Sequence, residues 1–247
     1  MQREVRCQMC TQVRRQNVKR NRGGSLEAAN RTALVSAGSR LLQIYADLSA
    51  RGVHLFGDLL HAQMPKQWSH YPEDDAIDLV SGFQWFYHSH SSEDRPGASE
   101  HGHIHLFARR KLWARRLTSA QEMEFAHFES ETAQSENTRH LLTIGFDSKG
   151  VPGTLGTVNS WVTGDRMLSA GLTAELLSGL KLDTGYAAVD AVIVNLMAIY
   201  RGEIRELLDH RDKALSAWRG GNVLSDQRLE LLSEIRIDVD KKLQSAA

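Results

Sequence analysis

The sequence predicts an α+β fold: a small antiparallel sheet carrying the histidines, flanked by N-terminal and C-terminal helices. Three observations predict it. A helical apolar period occupies both ends of the chain, from about Leu26 to Arg51 and again from Ser169 onward. Between them, Phe83 to His90, His103 to Arg109, Leu141 to Phe146 and Thr154 to Thr163 read as strands. The order is therefore helices, strands, helices, rather than the strand–helix alternation of a parallel sheet.

Each element follows from local sequence. Residues 1–24 hold Arg3, Arg6, Arg14, Arg15, Lys19, Arg20 and Arg22 against one acid, Glu4, and show no apolar period. They read as a disordered basic tail. Cys7 and Cys10, in that tail, have the spacing of half a zinc site without a second pair to complete it. Residues 25–247 read as one globular domain. Ser25 can cap its first helix and Gly52 can end it, with Leu34, Leu41, Leu42, Tyr45 and Leu48 along one stripe. Another helical turn fits His54 to His61. Trp68 to Asp75 reads as an aromatic and acidic loop, held out of regular structure by Pro72. Ser91 to Glu100 is a polar loop joining the first two strands into an antiparallel pair. Residues 119–130 fit a short helix, and Asp147 to Gly150 a turn. Tyr186 to Trp218 reads as one long helix, ended by Arg219-Gly220-Gly221. Ser225 then caps a final amphipathic helix to about Leu243.

Composition narrows the function classes. Lys plus Arg and Asp plus Glu are 30 each, so charge gives no reason to expect nucleic acid or a membrane as partner. No apolar run approaches the roughly 18 residues of a membrane span. The polar start, Met1 to Arg6, lacks the apolar centre of a secretory signal. Two cysteines, both in the tail, exclude a disulfide framework, and the expected location is cytoplasmic.

The chemistry sits in a histidine constellation. Five of the 11 histidines, His88, His90, His101, His103 and His105, fall between positions 88 and 105. Side chains alternate along a strand, so His88 and His90 share a face, as do His103 and His105. His101 joins them if the second strand starts early. Pairing of the two strands then points several imidazoles into one space. Crowded imidazoles repel when protonated and need partners when buried. A transition metal answers both needs. Glu93, Asp94 and Glu100 in the connecting loop can add a carboxylate ligand or orient a histidine. The expected metal ligands are His88, His90, His103 and His105, with His101 or Glu100 next. His70, beside Asp74 and Asp75, is the other histidine placed to contribute.

Three resemblances bear on these residues. His101-Gly102-His103-Ile104-His105-Leu106-Phe107 resembles the core of histidine-triad nucleotide hydrolases, which implies a metal-free phosphoester hydrolase with His103 as nucleophile. Gly102 departs from that pattern, where the family carries an apolar residue. Gly82, five residues and then His88-Ser89-His90 resemble the opening of a cupin metal motif. The cupin glutamate falls near Asp94 or Arg95, and the second motif reduces to Pro152-Gly153. The broadest likeness joins His70-Tyr71-Pro72, Tyr87 to His90, Glu100 to Phe107, Asn159 to Gly164 and Arg211-Asp212. That ordered set resembles an uncharacterised bacterial domain family of unknown function, over roughly residues 54–218.

The expectation is a metal-dependent enzyme acting on a small molecule. Its cofactor is a transition metal ion, iron, copper or zinc, since histidine serves all three. Iron- or copper-dependent oxidative chemistry, the work of an oxidoreductase, is preferred for the many imidazoles and for Trp85, Phe86 and Tyr87 around them. The alternatives are a non-catalytic metal-binding or sensing protein, the metal-free hydrolase, and a structural cluster of hydrogen-bonded histidines. A homo-oligomer formed through the C-terminal helices is left open.

Overall fold

A computed structural model describes residues 8–61, 63–67, 69–89, 100–126 and 135–246, with side chains from residue 28 in the first helix and from 137 in the fourth strand. His90 and the loop with Glu93 and Asp94 lie outside the described residues, as do Cys7 and His127.

The fold is α+β. The described residues form a seven-stranded sheet with helices before and after its strands. The strands are β1 Tyr71–Ile77, β2 Phe83–Ser89, β3 Gly102–Arg109, β4 Ser135–Phe146, β5 Pro152–Val158, β6 Asp165–Arg166 and β7 Leu231–Arg236. Their order is β1-β2-β3-β4-β5-β7, all antiparallel, with the two-residue β6 pairing parallel to β4. The helices are α1 Gln8–Ala50, α2 Gly57–Leu60, α3 Arg110–Trp113, α4 Ala120–Phe125, α5 Ser160–Thr163, α6 Ala170–Ser178, α7 Ala187–Ile199, α8 Arg201–Ala217 and α9 Val239–Ala246. No helix among the described residues is long and apolar enough to cross a membrane.

The sheet has two unlike faces because side chains alternate along each strand. Trp85 pairs with Leu106 and Tyr87 with Ile104, and these in turn face Leu142 and Ile144. That face carries the core and is covered by helices. Phe56 stacks on Tyr87 at 4.3 Å between ring centroids and meets Phe146 edge-on at 5.1 Å. The Trp85 indole N–H donates to Asp190 of α7 over 2.8 Å. α7 buries Val189, Val192, Ile193, Leu196 and Met197. Each such side chain contributes about 1.5–3 kcal/mol on burial. The opposite face carries Gln84, Phe86 and His88 of β2, with Phe107, His105 and His103 of β3 facing them.

Several elements differ from the sequence expectation. The segment from Trp68 to Asp75, expected as a loop, enters the sheet at Tyr71 as the edge strand β1. An edge strand tolerates Pro72, because one row of its backbone groups is unpaired in any case. The first helix begins at Gln8 rather than near Leu26, over residues whose Gln, Arg and Lys are good helix formers. The expected helix from Tyr186 to Trp218 bends at Tyr200 (φ −102°, ψ 22°) into α7 and α8, next to the poor helix former Gly202. The expected strand to Thr163 ends at Val158, because the Asn159 side chain accepts the Ser160 N–H and caps α5. The expected final helix from Ser225 is instead a 3-10 turn Val223–Ser225, the strand β7 and the short α9. β7 pairs with β5, whose backbone groups would otherwise be left as an open edge.

Candidate metal centre

β2 and β3 pair with His88 directly opposite His103 and Phe86 opposite His105. The three imidazoles converge on the face opposite the core. Ring centroids lie 4.4 Å apart for His88 and His103, 5.0 Å for His88 and His105, and 4.6 Å for His103 and His105. One nitrogen of each lies within 4.8 Å of the others, so the trio can hold a metal ion. Donor nitrogens of one ion with bonds near 2 Å sit roughly 3–4 Å apart, so small side-chain adjustments suffice.

Two neighbours set how the rings present themselves. Glu100 Oε1 lies 2.7 Å from His103 Nδ1, and Thr154 Oγ1 donates to Glu100 Oε2 over 2.9 Å. A carboxylate accepts, so His103 carries its proton on Nδ1 and turns Nε2 inward. His103 Nε2 is 2.8 Å from His105 Nε2, and His105 Nδ1 is 3.1 Å from His140 Nε2. Glu100, His103, His105 and His140 thus form one buried hydrogen-bonded row. Burial, and then the neighbouring histidines, hold His105 well below the usual imidazole range. Burial and the positive charge of Arg211 bring His140 down to about 3. Both rings are therefore neutral at physiological pH, the form that ligates metals.

Two of the three, His88 and His105, line a cavity of about 260 Å³. His70, Phe86 and Phe107 line it beside them. Asp75, Gln84, Thr138, Val162, Thr163 and Asp165 complete the lining. His70 stacks on Phe86 at 3.8 Å and 9° between ring planes, and burial lowers its pKa. Asp75 has φ +57°, where β1 leaves its ladder between Tyr71 and Ala76. Its carboxylate accepts from the Gln84 amide over 2.9 Å. Its pKa is raised to about 6, first by burial and then, among charges, by Asp165.

The structure brings together three of the expected ligands, His88, His103 and His105, and sets Glu100 behind His103. His101 lies elsewhere: its Nδ1 is 3.4 Å from the Tyr87 hydroxyl, and Tyr87 belongs to the core face. It is therefore separated from the His103 and His105 rings with which the histidine-triad likeness groups it. His140 was not expected at the site. Simple alternation would put it on the core face with Leu142 and Ile144. The register shift on β4 between Leu142, facing Leu106, and His140, facing Phe107, inserts Leu141 and returns His140 to the histidine face. No short-range spacing in the sequence signals that bulge. Asp75, Thr138 and Asp165 come from distant segments and carry no motif.

Comparison with curated proteins and with solved structures gives no match. The histidines and the sheet that carries them lie within residues 35–237, which match the family model described as "Domain of unknown function (DUF6969)". The chain belongs to this uncharacterised family.

Proposed function

We propose that this protein is a metal-dependent enzyme acting on a small polar molecule, with His88, His103 and His105 as the metal ligands. The observation that carries the reading is the convergence of three imidazoles from two adjacent strands, two of which, His88 and His105, line a cavity. A set of three histidines leaves coordination positions for water or substrate, unlike the closed four-ligand sites of structural metals. A bound ion there would supply Lewis acidity or redox chemistry at the cavity wall. The chain's own groups do the rest. Glu100 orients His103. Phe86 and Phe107 give the cavity an apolar part of its lining. Asp75, Gln84, Thr138 and Asp165 offer hydrogen-bonding groups to a polar substrate, and Asp75, raised towards neutrality, is suited to exchanging a proton with it.

Iron or copper performing oxidative chemistry is the finer form of this proposal. The all-imidazole set and the phenyl rings beside it support that form. Zinc-dependent hydrolysis is the second reading, favoured by the Glu100–His103 contact, an arrangement recurrent behind zinc-bound histidines. The test is metal content. Tag-free protein purified without chelator is analysed by mass spectrometry beside a folded His88→Ala/His103→Ala variant. Near-stoichiometric iron or copper, absent from the variant, is expected. Near-stoichiometric zinc selects hydrolysis. No metal bound, even after reconstitution with each ion, overturns the proposal.

A further inference from the structure

His105 is 1% exposed and uses both ring nitrogens: Nε2 faces His103 Nε2 and Nδ1 faces His140 Nε2. A neutral imidazole carries one proton, so one nitrogen donates and the other accepts. The Glu100 carboxylate fixes the proton of His103 on Nδ1, which leaves His103 Nε2 as an acceptor. Without metal, His105 must therefore donate from Nε2 to His103. Its Nδ1 then accepts from Nε2–H of His140. A metal held by Nε2 of both His103 and His105 forbids that arrangement, because the lone pair of His105 Nε2 is then used by the ion. The proton of His105 must sit on Nδ1, and His140 Nε2 must become the acceptor.

We propose that His140 is a positioning residue for the metal centre: it accepts the Nδ1–H of His105 and so turns the Nε2 lone pair of His105 toward the ion, as Glu100 does for His103. The inference rests on the metal-site reading above. The two ligands on β3 are held by unlike partners, a carboxylate for His103 and a neutral imidazole for His105. Metal uptake reverses the direction of the hydrogen bond between His105 and His140. Each ring keeps one proton in both states: His105 exchanges Nε2–H for Nδ1–H, and His140 does the same. The switch therefore leaves the charge of both rings unchanged. The position of His140 is set by the bulge at Leu141, and its ring packs edge-on against Phe107 at 5.2 Å. Backbone and packing thus hold it in place to receive the proton.

The probe is zinc alone, titrated into metal-free full-length protein, with His140→Leu, His140→Gln and wild type compared. Leucine keeps the site apolar but removes the acceptor. Glutamine restores an amide oxygen that can accept. The expected result is a loss of about 10–100-fold in zinc affinity for His140→Leu, the usual effect of removing such a partner. His140→Gln recovers most of it. Nitrogen-15 NMR of the ring is expected to place the His105 proton on Nε2 without zinc and on Nδ1 with it. Unchanged affinity in a folded His140→Leu variant, or a proton on Nε2 of His105 in the zinc-loaded wild type, overturns the role of His140 while leaving the metal site standing. A wild type that takes up no zinc, iron or copper overturns the metal site itself and this inference with it.

Discussion

Glu100 links the candidate metal site to β5. Its two oxygens are both used, one by His103 and one by Thr154. Glu100→Gln keeps the shape and weakens the charge-assisted bond to His103 Nδ1. Metal affinity is expected to fall about 10–100-fold, read by competition with a chromophoric chelator. Asp75 makes the opposite case, a carboxylate that the fold disfavours. Its pKa is raised from an ordinary 3.8 to about 6, so the folded protein holds a proton that the unfolded chain releases. That stability is full below about pH 3.8 and is lost as pH rises through 6. Asp75→Asn removes the penalty, and asparagine tolerates the left-handed backbone at this position. The variant should be more stable than wild type at pH 8 by about 1 kcal/mol, a figure reduced for partial exposure. The difference should shrink toward pH 4 in urea titrations. His140 has the reverse slope. Its folded pKa of about 3 lies below the ordinary 6.5. Stability is thus present above about pH 6.5 and is lost as pH falls toward 3. The urea midpoint of metal-free protein is expected to drop between pH 7 and 5, and to drop less in His140→Gln.

At the scale of the element, the site depends on two glycines that bring strands and side chains close together. A Cβ at Gly145, which pairs with His103, would collide with Glu100 Oε2 and Thr154 Oγ1. Gly145→Ala should therefore displace Glu100, costing about 1–3 kcal/mol of stability and lowering metal affinity at least as much as Glu100→Gln. Thermal melts and metal titrations of the same samples check both effects. A Cβ at Gly102 would lie 2.6 Å from the His88 carbonyl oxygen and against the Tyr87 hydroxyl. The glycine in the His-Gly-His run thus serves the close approach of β2 and β3. Period-two alternation made the shared face of His88, His103 and His105 legible. It could not reveal the bulge that adds His140. Nor could it place His101, whose backbone N–H bonds to the Phe146 carbonyl before β3 begins.

For the whole molecule, an ion held by His88, His103 and His105 would be linked to folding, because these three side chains converge only when β2 and β3 are paired. Zinc at about a thousandfold above its dissociation constant should stabilise the native state by about 4 kcal/mol. For a chain of this size that is a rise of roughly 10 °C in the melting temperature. Calorimetry should show the rise in wild type and its loss in His88→Ala. The sequence by itself determined the α+β class, the helical flanks and the common face of the central histidines, because these are local consequences of periodicity. Only the tertiary structure decided the two outer strands, the bend at Tyr200 and the cavity wall of Asp75, Thr138 and Asp165. Those features arise where an open sheet edge takes a partner or distant segments meet, and the identity of the partner is written nowhere near the residues it joins.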